Sequence, residues 1–244
     1  CGCELPNLMT AIDMAREHPQ TVHAAIAIHP NESVLHGHRG VPGPDGLPLK
    51  YQPWHDTSFE DAMAEVHRLA TAYPNQVVAI GETGMDLFRT GEAAKELQRE
   101  AFRAHIALAK ELNLPMQIHD RDSHKEVIET LLADGAPERI VFHSYSGDAE
   151  MGEIARENGW YLSLSGTSSY KGNDGIRESA RIVGLSHVMV ETDAPYLSPM
   201  PYRGRTNAPY MIPYTLQSLA NYLDKPLTEV AQATRKTTRE VYGI

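Results

Sequence analysis

Apolar positions along this chain follow two spacings in turn. Short continuous apolar runs at Val22–His29, Val77–Glu82, Pro115–His119, Ile140–His143, Trp160–Ser165 and Val188–Glu191 read as buried strands. Between them, apolar residues recur every three or four positions and predict helices. These cover Pro6–Glu17, with Leu8, Met9, Ile12 and Ala15 on one stripe, and Phe59–Tyr73, capped by Thr57 or Ser58. They continue with Glu92–Leu112, a helix from the Ser123 cap to Ala133 ended by Gly135, Asp148–Asn158, Asn173–Val183, Ile212–Leu223 and Leu227–Tyr242. His36–Asp56 and Pro195–Pro213 lack either period and are rich in Gly, Pro or His, so they read as loops.

Strict alternation of strand and helix means a parallel sheet with helices outside it, as an open doubly wound sheet or a closed barrel. The strand tips favour closure. Val77 to Asp86 presents Glu82 between Gly81 and Gly84; the next strands end in His119 and His143, and the last ends in Glu191 and Asp193. A closed sheet gathers the ends of different strands around one cup, so the expected fold is a TIM (β/α)8 barrel forming one domain over residues 1–244. Six strands, with Cys1–Cys3 as the stub of another, leave this sequence short of the first barrel strand and most of the second.

Composition narrows the chemistry. With 32 acidic and 22 basic residues the net charge is −10, which disfavours bulk electrostatic binding of long nucleic acid. Metals and a few local cations would have to hold any phosphate. Two cysteines near the start cannot staple the fold, no apolar run reaches membrane-spanning length, and no signal-peptide layout opens the chain. An intracellular, soluble protein with no membrane partner is expected.

Glu82, His119, His143 and Asp193 form a mixed oxygen and nitrogen donor set suited to Zn, Mn or Mg, and a carboxylate such as Glu82 can bridge two ions. Arg121 suits a phosphate fork, while its neighbours Asp120 and Asp122 either orient ligands or make surface ion pairs. Ser146, in Tyr145-Ser-Gly147, offers either an anion-binding turn or a plain one. Lys171, Arg203 and Arg205 lie in loops after strand ends and read either as the local cations a phosphate-processing acidic protein needs or as ordinary surface cations. His29, before Pro30, reads either as a substrate contact or as a residue closing its loop, with the structural role slightly favoured. His36, His38 and His55 read as exposed loop residues.

Ile80-Gly-Glu-Thr-Gly-Met-Asp86, Ile118-His-Asp-Arg-Asp122, Phe142-His-Ser-Tyr-Ser-Gly147 and Glu191-Thr-Asp-Ala-Pro-Tyr-Leu197 together resemble the successive signatures of the TatD family of metal-dependent deoxyribonucleases. The resemblance runs in order over essentially the whole chain. It implies a TIM-barrel metallohydrolase of the amidohydrolase type in the cytoplasm, and a monomer is expected. Its expected activity is hydrolysis of DNA phosphodiesters with two divalent ions, as a 3'-to-5' exonuclease on single-stranded DNA. It implies Glu82 as bridging ligand, His119 and His143 as ligands of one ion, Asp193 as ligand and water-orienting acid of the other, and Arg121, Arg205 and Asn207 as substrate contacts. The chain departs from the family pattern in having no His-x-His pair on an opening strand, Ala208 in an Asn-Glu-Pro loop, Thr237 for Asn, and Ser144-Tyr145 for Cys-Phe. The alternatives are a metal-dependent amide or ester hydrolase on a small substrate, and a structural barrel that has lost catalysis.

Overall fold

The computed structural model describes residues 1–37 and 49–244; His38 lies outside them. Internal contacts divide the chain into two compact units, residues 1–140 and 141–244.

The first unit is built on three parallel strands, β1 (Ala24–Ile26), β2 (Val77–Asp86) and β3 (Met116–Arg121), in that order. Gly2 extends the ladder on the far side of β1, bridging Ile26 through Gly2 N–H to the Ala25 carbonyl and Ala27 N–H to its own. The expected strand stub is therefore present. Helices α1 (Leu5–Glu17), α3 (Phe59–Ala72), α5 (Lys95–Leu112) and α6 (His124–Asp134) bring Leu8, Ile12, Val66, Phe102 and Ile106 into a core with Ile26, Ile80 and Met116. Ser58 caps α3 by accepting from Asp61 N–H at 3.0 Å. Ser123 stands at the start of α6 without capping it, because its hydroxyl donates to the Met85 carbonyl at 2.8 Å.

Two short helices were not foreseen. α2 (Pro30–Ser33) starts directly after His29, and α4 (Leu87–Thr90) directly after β2. A 3-10 turn at Pro53–Asp56 also lies inside the stretch expected to be irregular. It buries His55 fully, and His36 is 1% exposed, so the reading of these two as exposed loop residues is corrected. Both rings are held by hydrogen bonds: His36 Nδ1–H donates to the Thr57 carbonyl at 3.0 Å, and His55 Nε2 bonds the Glu32 carboxylate at 2.7 Å.

Strand β2 also runs four residues past the expected end at Glu82. The pairing shifts between Ile80 and Thr83 and resumes with Thr83 opposite Ile118 and Gly84 opposite His119. Gly84 makes this possible: at φ +137°, a Cβ there would stand 2.1 Å from the His119 carbonyl oxygen. The glycine thus lets the ladder carry Glu82 inside the strand, next to β3.

The second unit repeats the plan with β4 (Ile140–Phe142), β5 (Tyr161–Leu164) and β6 (Val188–Val190), parallel and in that order. Around them lie α7 (Ala149–Glu157), α8 (Asp174–Val183), α9 (Ile212–Leu223) and α10 (Leu227–Tyr242). Val141, Met189 and Val241 pack together, and Tyr145 is buried with its hydroxyl donating to the Asp148 carbonyl at 3.0 Å. Among the described residues no helix is long and apolar enough to cross a membrane.

Candidate metal centre

Side chains alternate along a strand, so the register of β2 against β3 decides which polar groups meet. Glu82 and His119 meet: Glu82 Oε1 lies 2.5 Å from His119 Nδ1 and 3.7 Å from His29 Nε2. The three residues offer ligand atoms all within 4.8 Å of one another, and all three are half-buried. Among the described residues this is the group of three that could hold an ion.

Asp86 completes the arrangement. It is 1% exposed, and its Oδ2 accepts from His119 Nε2 at 3.2 Å and from Asn31 Nδ2 at 2.9 Å, while Oδ1 accepts from Arg89 N–H at 2.9 Å. Burial pushes its pKa up, but the bonds from His119 and Asn31 outweigh this and hold it below the usual carboxylate range. His119 responds in the opposite sense. Burial alone would lower its pKa, yet hydrogen bonds to Asp86 and Glu82 raise it to about 9. His119 is held between two carboxylates, which favour its charged form. Asp86 fixes the Nε2 proton, which leaves Nδ1, beside Glu82, as the nitrogen to bind a cation.

His29 is committed elsewhere as well. It caps α2, its Nδ1 accepting from Asn31 N–H at 3.1 Å, so the neutral ring carries its proton on Nε2. To offer Nε2 to an ion, His29 must give up the cap bond. As it stands Nε2 lies 3.7 Å from Glu82 Oε1, beyond hydrogen-bond distance, and the cap bond fits the loop-closing role favoured from sequence. The donor chemistry, two imidazoles and a carboxylate converging with one buried carboxylate behind them, fits a divalent ion of the Zn, Mn or Mg class.

In the second unit His143 and Asp193 also come together, joined by Glu191. Glu191 Oε1 lies 2.7 Å from His143 Nδ1 and accepts from Ser144 N–H at 2.9 Å, while Asp193 Oδ1 lies 3.7 Å from His143 Nε2. Glu191 thus stands to His143 as Asp86 does to His119, each taking one ring nitrogen. Sequence reasoning missed both as site residues, although Asp86 closes the glycine-rich motif and Glu191 sits on the strand that carries Asp193.

The remaining predicted residues divide by exposure. Arg121, Ser146, Lys171, Arg203 and Arg205 are exposed. Arg203 lies over the Tyr170 ring at 4.4 Å and Arg205 near Tyr202 at 5.8 Å. Asn207, expected to touch substrate, is 3% exposed and fully engaged by its own loop. Its amide donates to the Thr192 and Tyr196 carbonyls at 2.6 and 2.7 Å, and its oxygen accepts from Ala208 N–H at 2.9 Å. The geometry makes Asn207 a tie that shapes the loop after β6.

The family model described as TatD related DNase matches residues 1–243. The chain belongs to the TatD family. A TatD described as an uncharacterized metal-dependent hydrolase, from Mycobacterium tuberculosis, is 38% identical over 237 residues, covering 96% of this chain and 81% of that protein. YabD of Bacillus subtilis, described in the same words, is 30% identical over 245 residues, covering 100% of this chain and 86% of that protein. The fold is that of the Escherichia coli TatD homologue YJJV, with a TM-score of 0.83 at 23% identity over 100% of this chain and 85% of that one. A TatD family hydrolase of Entamoeba histolytica gives 0.78 at 18% identity, covering 99% and 82%. This TatD protein is therefore a metal-dependent hydrolase on a reduced TIM-barrel fold, with six parallel strands among the described residues.

Proposed function

We propose that this protein hydrolyses phosphodiester bonds of DNA, working from a 3' end on single strands. The observation that carries the reading is the convergence of His29, Glu82 and His119 on one point, backed by the buried Asp86. Family membership supports the deoxyribonuclease chemistry.

Two bound divalent ions, magnesium or manganese in function, would activate a water and draw charge from the phosphoryl oxygens. Glu82 and His119 would hold an ion with Asp86 fixing the His119 ring, and the resemblance implies His143 and Asp193 as metal ligands as well. Asp193, with its carboxylate half-exposed, orients the attacking water and takes its proton. Arg121 steadies charge on the non-bridging oxygens, and His29 Nε2–H donates to the same group. Ser146, Lys171, Arg203 and Arg205 supply local contacts to the strand in a chain whose net charge of −10 would otherwise repel it. A single-domain, monomeric, cytoplasmic enzyme belongs to the same proposal.

The test is digestion of 3'-labelled and 5'-labelled single-stranded DNA with manganese or magnesium, with chelator, and by Glu82→Ala. Stepwise loss from the 3' end that stops with chelator and in the variant is expected. Parental rates in Glu82→Ala would refute the reading. Absence of digestion by a parent that still binds manganese would turn attention to an amide or ester substrate.

A further inference from the structure

An exposed apolar ring stands just beyond the end of β2. Phe88 is 49% exposed, although it sits on α4, a turn held by buried hydrogen bonds. Asp86 caps that turn through Arg89 N–H, Thr90 Oγ1 donates to the Asp86 carbonyl at 2.8 Å, and the buried Gln98 amide donates to Thr90 Oγ1 at 3.0 Å. The ring is therefore held outward by a buried polar network.

Arg121 lies against it, with its guanidinium 3.8 Å from the ring centroid. The strands enforce the pairing, because Arg121 stands opposite Asp86 in the β2–β3 register, two residues before Phe88. Arginines on helix surfaces here, such as Arg68, Arg99 and Arg156, are spent on a glutamate three residues away. Arg121 has no carboxylate partner among the described residues, even though Asp120 and Asp122 flank it; Asp120 faces Ser123 and His124 instead. The contrast with Tyr170 under Arg203 is informative. That ring is half-buried, and its hydroxyl is fixed to the Ser198 carbonyl at 2.8 Å, so the fold itself uses it.

Arg121 also lies two residues beyond His119 on β3. Alternation puts both side chains on the same side of the strand, with Cα atoms roughly 7 Å apart. That places the Arg–Phe pair within reach of a base whose phosphate lies at the Glu82–His119 cluster. Flat aromatic and guanidinium surfaces beside a phosphate-handling centre are what stacking of unpaired bases requires, and they bind any base because every base has a π face.

We propose that Phe88 and Arg121 form a stacking platform for one nucleobase of a single strand, a proposal that rests on the phosphodiesterase reading of the adjacent cluster. The platform holds an unpaired base and not a base pair, which ties the preference for single strands to a named ring.

The experiment is fluorescence anisotropy, in chelator, with a labelled ten-nucleotide single strand and the same strand made abasic at its 3'-terminal positions. The parent is expected to bind the base-bearing strand about ten-fold more tightly than the abasic one, given the usual strength of base–aromatic stacking. Phe88→Ala should close that gap while leaving abasic binding unchanged, and Phe88→Trp should keep it. A Phe88→Ala protein that discriminates like the parent, or a parent that does not discriminate, overturns the platform. Cleavage with manganese reads the underlying hypothesis separately: a parent that discriminates but never cleaves keeps the platform and loses the nuclease.

Discussion

Replacing Asp86 by Asn isolates the contribution of one buried carboxylate to metal binding. The carboxylate accepts three N–H donors, Asn31 and His119 on Oδ2 and Arg89 on Oδ1. The amide is nearly isosteric but has only one acceptor oxygen. If that oxygen faces His119 and Asn31, the new NH2 meets Arg89 N–H; turned round, it meets the other two. Either way a buried donor faces a donor, at a cost of about 1–3 kcal/mol. His119 also loses the partner that keeps its proton on Nε2, and losing such an outer carboxylate costs about ten- to hundred-fold in metal affinity. Calorimetric titration of metal-free parent and Asp86→Asn with manganese reads the second effect. A thermal melt reads the first, with a fall in Tm of several degrees for a chain of this size. Asp86→Asn with parental manganese affinity would refute the assignment of Asp86 as the residue that orients His119, whatever happened to the melt.

Two further outcomes follow from the same geometry. His105 is fully buried between two backbone groups, its Nδ1–H donating to the Ala101 carbonyl at 2.7 Å and its Nε2 accepting from Ile28 N–H at 3.1 Å. Burial lowers its pKa to about 4, against a weaker upward pull from the Ala101 carbonyl. Its neutral form stabilises the fold fully above pH 6.5, and that stability, about 3 kcal/mol, is lost as pH falls towards 4. His105→Gln, which can keep one bond of each kind, should flatten the acid limb of a urea-denaturation pH series between 6.5 and 4; an unchanged limb would contradict this role. Gly84→Ala should cost at least about 3 kcal/mol, because its Cβ collides with the His119 carbonyl at a backbone angle that side chains rarely adopt. Urea midpoints check it, and a parental midpoint would mean the β2–β3 pairing is not as close as described.

Much of the fold was legible as pattern. Buried strands declare themselves by continuous apolar runs and helices by their stripes, since both reflect burial along a local period; all six strands and the long helices were readable in this way. The polar residues Glu82, His119, His143 and Asp193 were legible as candidates because each follows an apolar run, although β2 and β3 continue past Glu82 and His119. Pattern could not say how far β2 extends. That depended on Gly84 meeting the His119 carbonyl, a contact between positions 35 residues apart in sequence.

The sequence by itself determined the alternation of strand and helix, the family signatures and the chemical types available for metal binding, because each is written in residue type and local spacing. Only the tertiary structure decided which of those groups act together. It joined His29 to Glu82 and His119, set Asp86 and Glu191 behind the two histidines, withdrew Asn207 into its loop, and buried His36 and His55 in a stretch that looked exposed. The physical reason is that hydrogen-bond partnership and burial are pair properties, fixed by strand register and packing between distant segments, and no single stretch of chain contains them.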